Sequence, residues 1–162
     1  AKLQSGNIRL NLTEMNIREE IEKTISGINL SAPGRSVRIN NHAEETINVI
    51  SDKDRFKQIL INIITNSVKY SQNDVTIDIK AEPSDSFVRI SIQDNGPGVA
   101  EEELPLLFEK FYRSDSLTNK EGGAGIGLSV VKELVTCLGG VPVAFLGSDG
   151  GLVIAFTLPL AR

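Results

Sequence analysis

The 162 residues contain one cysteine, one histidine, one methionine and no tryptophan. A lone thiol, Cys137, can form no internal disulfide, and with a single histidine beside it the chain cannot assemble a zinc site of the Cys/His kind. Cys137 lies within an apolar stretch and reads as a buried structural thiol rather than a reactive one. No apolar run approaches the roughly 20 residues needed to span a bilayer, and the first residues carry no signal-peptide pattern. The expectation is a soluble, cytoplasmic segment with no membrane insertion of its own. Basic residues number 17 against 21 acidic, a net charge of −4, which argues against a broad basic surface and so against nucleic acid as a partner.

What is present suits one domain. Hydrophobic residues make up 40% of the chain, and a chain of this size hides roughly two-thirds of its unfolded surface. Ala1 to Asn7 reads as the tail of something longer, and Ile8 to Leu12 as a short strand. Asn16 with Glu19 three residues later marks a helix start. Ile17, Ile21, Ile25 and Ile28 give that helix one apolar face to about Leu30, before Pro33-Gly34 breaks it. Val37 to Asn40 and Ile47 to Ile50 read as strands, and a second helix runs from near Asp52 to about Ser71. Val75 to Ile79 and Phe87 to Ile92 alternate around Pro83-Ser84-Asp85 as a hairpin. A last helix has Leu128, Val131, Leu134, Val135 and Leu138 on its core side and ends at Gly139-Gly140. Val141 to Leu146 and Leu152 to Leu158 close the chain as a hairpin around Gly147 to Gly151. The sum is an α+β fold, a two-layer α/β sandwich of one mixed, mostly antiparallel sheet with about three helices on one face.

Three motifs carry chemistry. On the helix from Asp52 to Ser71, Phe56, Leu60, Ile63, Ile64 and Val68 form one side, while Gln58, Asn62, Asn66 and Lys69 line the other, with Ile59 intruding. Asparagine is a poor helix-interior residue. Two of them one turn apart beside a lysine suit a metal ion and anionic oxygens, Asn66 offering a neutral carbonyl oxygen to Mg²⁺. A solvated polar face is the competing reading. Asp94-Asn95-Gly96-Pro97-Gly98 follows a strand, where a carboxylate can accept from an exocyclic amine and the glycines permit close backbone approach. An ordinary turn, its Asp bonded to the local backbone, is the alternative. Gly122-Gly123-Ala124-Gly125-Ile126-Gly127-Leu128 leads into a helix and exposes backbone N–H groups to an anion. It lacks the preceding strand and Gly-x-Gly-x-x-Gly spacing of a Rossmann loop, and the Gly-Lys-Ser/Thr of a P-loop. Glycine-rich flexibility without a ligand is the alternative.

In this order the motifs resemble the ATP-binding domain of two-component sensor histidine kinases, within the larger family that includes gyrase-type ATPases and heat-shock chaperones. Asp54 to Asn62 with Asn66 to Ser71 is similar to that family's Asn-rich box, and Asp94 to Val99 to its first glycine box. Phe108 to Arg113 is similar to its phenylalanine box, and Gly123 to Leu128 to its second glycine box. Ser67 stands where Ala is frequent, Ala124 where Thr or Ser is, and Ile126 where Leu is; Leu152 follows Gly151 where a hydroxyl residue is often seen. The resemblance implies a Bergerat-type fold, residues 1–7 being the remnant of an upstream dimerisation helix or linker and 8–162 the catalytic domain. It implies ATP and Mg²⁺ as cofactors. Asn66 would hold the metal, Asn62 would support it, Lys69 would meet phosphate charge, Tyr70 would line the nucleotide and Asp94 would bind the adenine amine. Gly96, Gly98, Gly123, Gly125, Gly127 and Leu128 would shape the nucleotide cradle, Ser114 to Gly123 would cover the phosphates, and Arg113 would touch the γ-phosphate; a surface salt bridge is the other reading of Arg113. Asn62, Lys69 and Arg113 are thus the catalytic candidates.

Gyrase-like relatives carry a glutamate where this chain has Asn62, a neutral group and a poor base. A neutral imidazole is a better-suited acceptor than unassisted water. The one histidine, His42, sits in the polar stretch Asn40 to Glu44, without the sequence context of an acceptor, and reads as a surface residue. The implied partners are therefore a separate dimerisation and histidine-phosphotransfer domain of the parent kinase and, through it, a response regulator. An ATP-hydrolysing switch and a binding module without chemistry are the alternatives.

Overall fold

The computed structural model describes residues 9–30, 32–71, 73–110, 112 and 127–160. The chain runs β1 (Thr13–Asn16), α1 (Ile17–Gly27), β2 (Val37–Asn41), β3 (Asn48–Ser51), α2 (Lys53–Tyr70), β4 (Val75–Pro83) and β5 (Phe87–Asp94). A 3-10 helix (Glu101–Leu106), which sequence periodicity did not suggest, precedes α3 (Gly127–Cys137), β6 (Pro142–Leu146) and β7 (Leu152–Pro159). Five strands form the main sheet in the order β2-β4-β5-β7-β6; β2 and β4 are parallel and all other neighbours antiparallel. The expected single sheet is supplemented by a separate two-stranded one, in which β1 pairs antiparallel with β3. The expected strand at Ile8 to Leu12 forms later, because register with β3 sets Met15 opposite Val49 and buries both, while Leu12 stays 55% exposed.

The inner face of the sheet carries Ile77 and Ile79 of β4, Ile90 and Ile92 of β5, and Ile154 and Phe156 of β7, all essentially inaccessible to water. Against it lie Phe56, Leu60 and Ile64 of α2 and Val131, Leu134 and Val135 of α3. Phe56 meets Phe156 edge-to-face, ring centroids 6.0 Å apart. Ile17 and Ile21 of α1 join the same core.

The helix ends follow from local chemistry. Asn16 caps α1, its side chain accepting from Glu19 N at 3.0 Å. That helix stops at Gly27, where Ile28 turns extended (φ −80°, ψ 135°), rather than at Leu30. The buried carboxylate of Asp52 caps α2 with one oxygen (Arg55 N, 3.1 Å) and holds the entering chain with the other (Asn11 N, 2.8 Å). At the opposite end the Arg35 guanidinium donates to the carbonyls of Val68, at 3.3 Å, and Ser71, satisfying acceptors the helix leaves open. His42 follows β2, half-exposed, with its ring nitrogen 2.9 Å from Asp78 Oδ1. Cys137 is a free thiol of intermediate burial, less enclosed than its apolar neighbours suggest. No helix among the described residues is long and apolar enough to cross a membrane.

Candidate functional site

One flank of α2 lies in the core, and the flank carrying Gln58, Asn62, Asn66, Lys69 and Tyr70 is half-buried. Ile59 is fully buried, so it belongs to a wide apolar stripe with Leu60 and Ile63 and does not interrupt the polar one. The polar flank ends in a narrow cleft in which Asn66, Ser67 and Tyr70 of α2 face Asp94, Gly96 and Gly98, with Leu152 of β7 at its side. Residues 28 positions apart in sequence, Asn66 and Asp94, thus share one cavity.

Asp94 is the electrostatic centre of this cleft. It is only 9% exposed. Its Oδ1 accepts from Gly96 N at 2.9 Å and from Leu152 N at 3.3 Å. Burial pushes its carboxyl above the usual carboxylate range; the two backbone donors and the Ser67 side chain pull it back, and the Asp149 charge adds to the rise. A buried carboxylate with one oxygen committed to backbone donors keeps acceptor capacity for a ligand donor.

The bend after Asp94 needs glycine for packing as well as for approach. Gly98 has φ +73°, and a Cβ there would lie 2.3 Å from the Gly150 carbonyl oxygen. The Asx-type bond from Gly96 N to Asp94 shows that the ordinary-turn reading of this motif is also true: the carboxylate holds its own turn and faces the cleft at once.

The fit of a metal is a matter of donor type. Among the described residues no group of three His, Cys, Asp or Glu side chains could hold an ion. Asn62 and Asn66 are half-buried and lie one turn apart on the polar flank of α2. Neutral carbonyl oxygens of this kind suit Mg²⁺, a cation that keeps waters and phosphate oxygens as most of its ligands.

Of the expected site residues, Asn66, Tyr70, Asp94, Gly96 and Gly98 line this cleft, and Asn62 and Lys69 lie on the same half-buried flank of α2. Gly127 opens α3, where an added Cβ would meet no described atom within 4 Å, and the Leu128 side chain is part of the core. Arg113, Gly123 and Gly125 lie outside the described residues, as does the segment Ser114 to Gly123. Sequence reasoning missed Ser67, Ser71, Pro97 and Leu152, all at the cleft. Ser67 had a signal, a hydroxyl at the apolar step of α2 between Ile64 and Val68. Leu152 had none, since it acts through its backbone N–H.

The sequence of residues 51–162 matches the model of the histidine kinase-, DNA gyrase B-, and HSP90-like ATPases. The chain belongs to this ATPase family. Among named relatives, it is 33% identical over 129 residues to the signal transduction histidine-protein kinase BaeS of Escherichia coli (strain K12), covering 79% of this chain and 28% of that protein. It is 37% identical over 124 residues to the sensor histidine kinase WalK of Bacillus subtilis (strain 168), covering 75% of this chain and 20% of that protein. The chain thus spans between a fifth and a third of the length of these relatives. The solved structure of full-length ShkA in complex with AMPPNP superposes with a TM-score of 0.83 at 27% identity, covering 99% of this chain and 33% of ShkA. With this membership, the two-layer sandwich seen here is that of an ATP-binding catalytic domain.

Proposed function

We propose that this chain is the Mg²⁺-ATP-binding catalytic domain of a sensor histidine kinase, a protein-histidine kinase whose γ-phosphoryl group goes to a histidine on a separate dimerisation domain and on to a response-regulator aspartate. Residues 8–162 form the catalytic domain. The observation that carries the reading is the cleft that joins the buried Asp94 carboxylate to the amide flank of α2. Asp94 accepts from the adenine amine, Tyr70 lines the nucleotide, and Lys69 meets phosphate charge. Asn66, supported by Asn62, holds the metal, which when bound neutralises charge across the phosphates. Arg113 contacts the γ-phosphate, and Gly123, Gly125 and Gly127 offer backbone N–H groups. In the transfer, a lone pair of neutral imidazole attacks the γ-phosphorus, the bond to the β,γ-bridging oxygen breaks, and ADP departs. No protein base is required, which agrees with an amide at Asn62 where hydrolysis would call for a carboxylate. The AMPPNP held by ShkA supports the same nucleotide class here.

Titration with AMPPNP, with and without Mg²⁺, tests the site. Asn66→Ala is expected to remove most of the Mg²⁺-dependent gain, roughly tenfold or more, and to leave metal-free binding nearly unchanged. Supplying the upstream histidine hairpin in trans should yield Mg²⁺- and ATP-dependent phosphohistidine. Steady phosphate release by the chain alone, abolished in Asn62→Ala, would instead point to a hydrolase.

The raised carboxyl of Asp94 predicts opposite pH trends for binding and folding. The carboxylate accepts from an amine more strongly than the neutral acid does, so ADP affinity should fall as pH drops from neutrality through the raised folded-state pKa. A folded-state pKa above the unfolded value means the native chain binds this proton more tightly, so this group favours the unliganded fold as pH falls through the same window. Calorimetry checks the first trend. For the second, the pH dependence of melting should lose this component in Asp94→Asn.

A further inference from the structure

Asp149 lies exposed at the tip of the β6–β7 hairpin and lines no part of the cleft, yet a single oxygen of its carboxylate brackets the base-reading group. Oδ1 accepts from Gln93 Nε2 at 3.1 Å and from Gly151 N at 3.1 Å. Gln93 immediately precedes Asp94 on β5, and Gly151 immediately precedes Leu152, whose N–H donates to Asp94 at 3.3 Å. The tip is closed on itself by Gly147 N to Gly151 O at 2.7 Å and Gly150 N to Gly147 O at 3.0 Å. Bare backbone makes the fit: a Cβ at Gly151 would lie 2.1 Å from the Asp94 carbonyl oxygen, and one at Gly147 2.3 Å from Gln93 Nε2.

We infer that Asp149, acting through Gln93 and the Gly151 N–H, is a positioning residue that fixes the Asp94 carboxylate for recognition of the purine 6-amino group. This assignment rests on the reading of Asp94 as the adenine acceptor and extends it to a residue outside the cleft. Losing the clamp leaves the β5–β7 ladder in place but loosens the tip around Gly151, so the Leu152 N–H holds the carboxylate's angle less closely. The phosphate side, carried by α2, is untouched.

The test compares ADP with IDP, whose 6-oxo group cannot donate, by calorimetry on the chain and its variants. Asp149→Ala is expected to weaken ADP roughly tenfold and IDP by less than about twofold. Asp149→Asn keeps an amide oxygen that can accept from both donors, and should restore ADP affinity to within about twofold of the unsubstituted chain. Gln93→Met, removing one donor, should fall between, and carries the same comparison should Asp149→Ala disturb the fold. Equal losses for ADP and IDP in both variants, or no loss for either, would overturn the positioning role. Failure of the unsubstituted chain to bind ADP would overturn the base-site reading and this inference together; ADP binding that both variants leave intact removes only the latter.

Discussion

Replacing Asp94 by asparagine is expected to weaken ADP by roughly 10²–10³-fold while leaving IDP equal or improved. The reason lies in which end of the amide the site will accept. Gly96 N and Leu152 N are both donors aimed at Oδ1, so an asparagine must keep its carbonyl oxygen there. Its NH₂ then faces the cleft, where it confronts the adenine amine donor to donor but can donate to a 6-oxo purine. Loss of a charge-assisted bond plus an unsatisfied donor pair amounts to about 3–4 kcal/mol. The unliganded fold should not suffer, because burial disfavours the Asp94 charge and the amide removes it. An unchanged or raised melting temperature together with collapsed ADP affinity is the expected signature. Loss of ADP and IDP in equal measure would remove Asp94 from base recognition.

Gly151→Ala should be among the most damaging single-methyl additions in the chain. The new carbon would sit 2.1 Å from the Asp94 carbonyl oxygen, a backbone atom at the end of β5 with no rotamer to escape into. β7 pairs with β5 from Phe87↔Pro159 through Gln93↔Val153, so the hairpin tip cannot move away without opening that ladder from its end. Overpacking of this kind costs about 3 kcal/mol, or roughly 6–12 °C in melting temperature for a chain of this size. The Leu152 N–H leaves Asp94 in the same movement, so ADP affinity should fall as well. Gly27→Ala is the matched control: a Cβ there meets no described atom within 4 Å, and thermal scanning should find it neutral or slightly stabilised.

Local chemistry was readable where one residue decides one element. Asn16 with Glu19 and Asp52 before an apolar-periodic run placed the starts of α1 and α2, and the alternation of Val75 to Ile79 and Phe87 to Ile92 placed a hairpin. Pairing between distant segments was not readable. The short runs at Val37 and Ile47 look alike, yet β2 joins the main sheet in parallel with β4 while β3 pairs with β1, a choice that only tertiary contact makes. Apolar alternation at Ile8, Leu10 and Leu12 outweighed the polar Thr13–Asn16, because only tertiary contact reveals that Met15 is the buried member. At the site, side-chain chemistry announced Asn62, Asn66 and Asp94, whereas Leu152 N–H and the hairpin tip act through backbone that every residue possesses. Their identity carries no mark of the task.

The double use of α2 determines how the pocket can come apart. Phe56, Ile59, Leu60 and Ile64 of this helix have no accessible surface, so the turns bearing Asn62 and Asn66 cannot fray on their own; exposing them means breaking the core. Amide protons in the middle of this helix should therefore exchange only through global opening. A nucleotide held there at free concentration L stabilises the whole domain by RT ln(1 + L/Kd), and any lesion that softens the distant core lowers ligand occupancy without touching a single contact to the ligand.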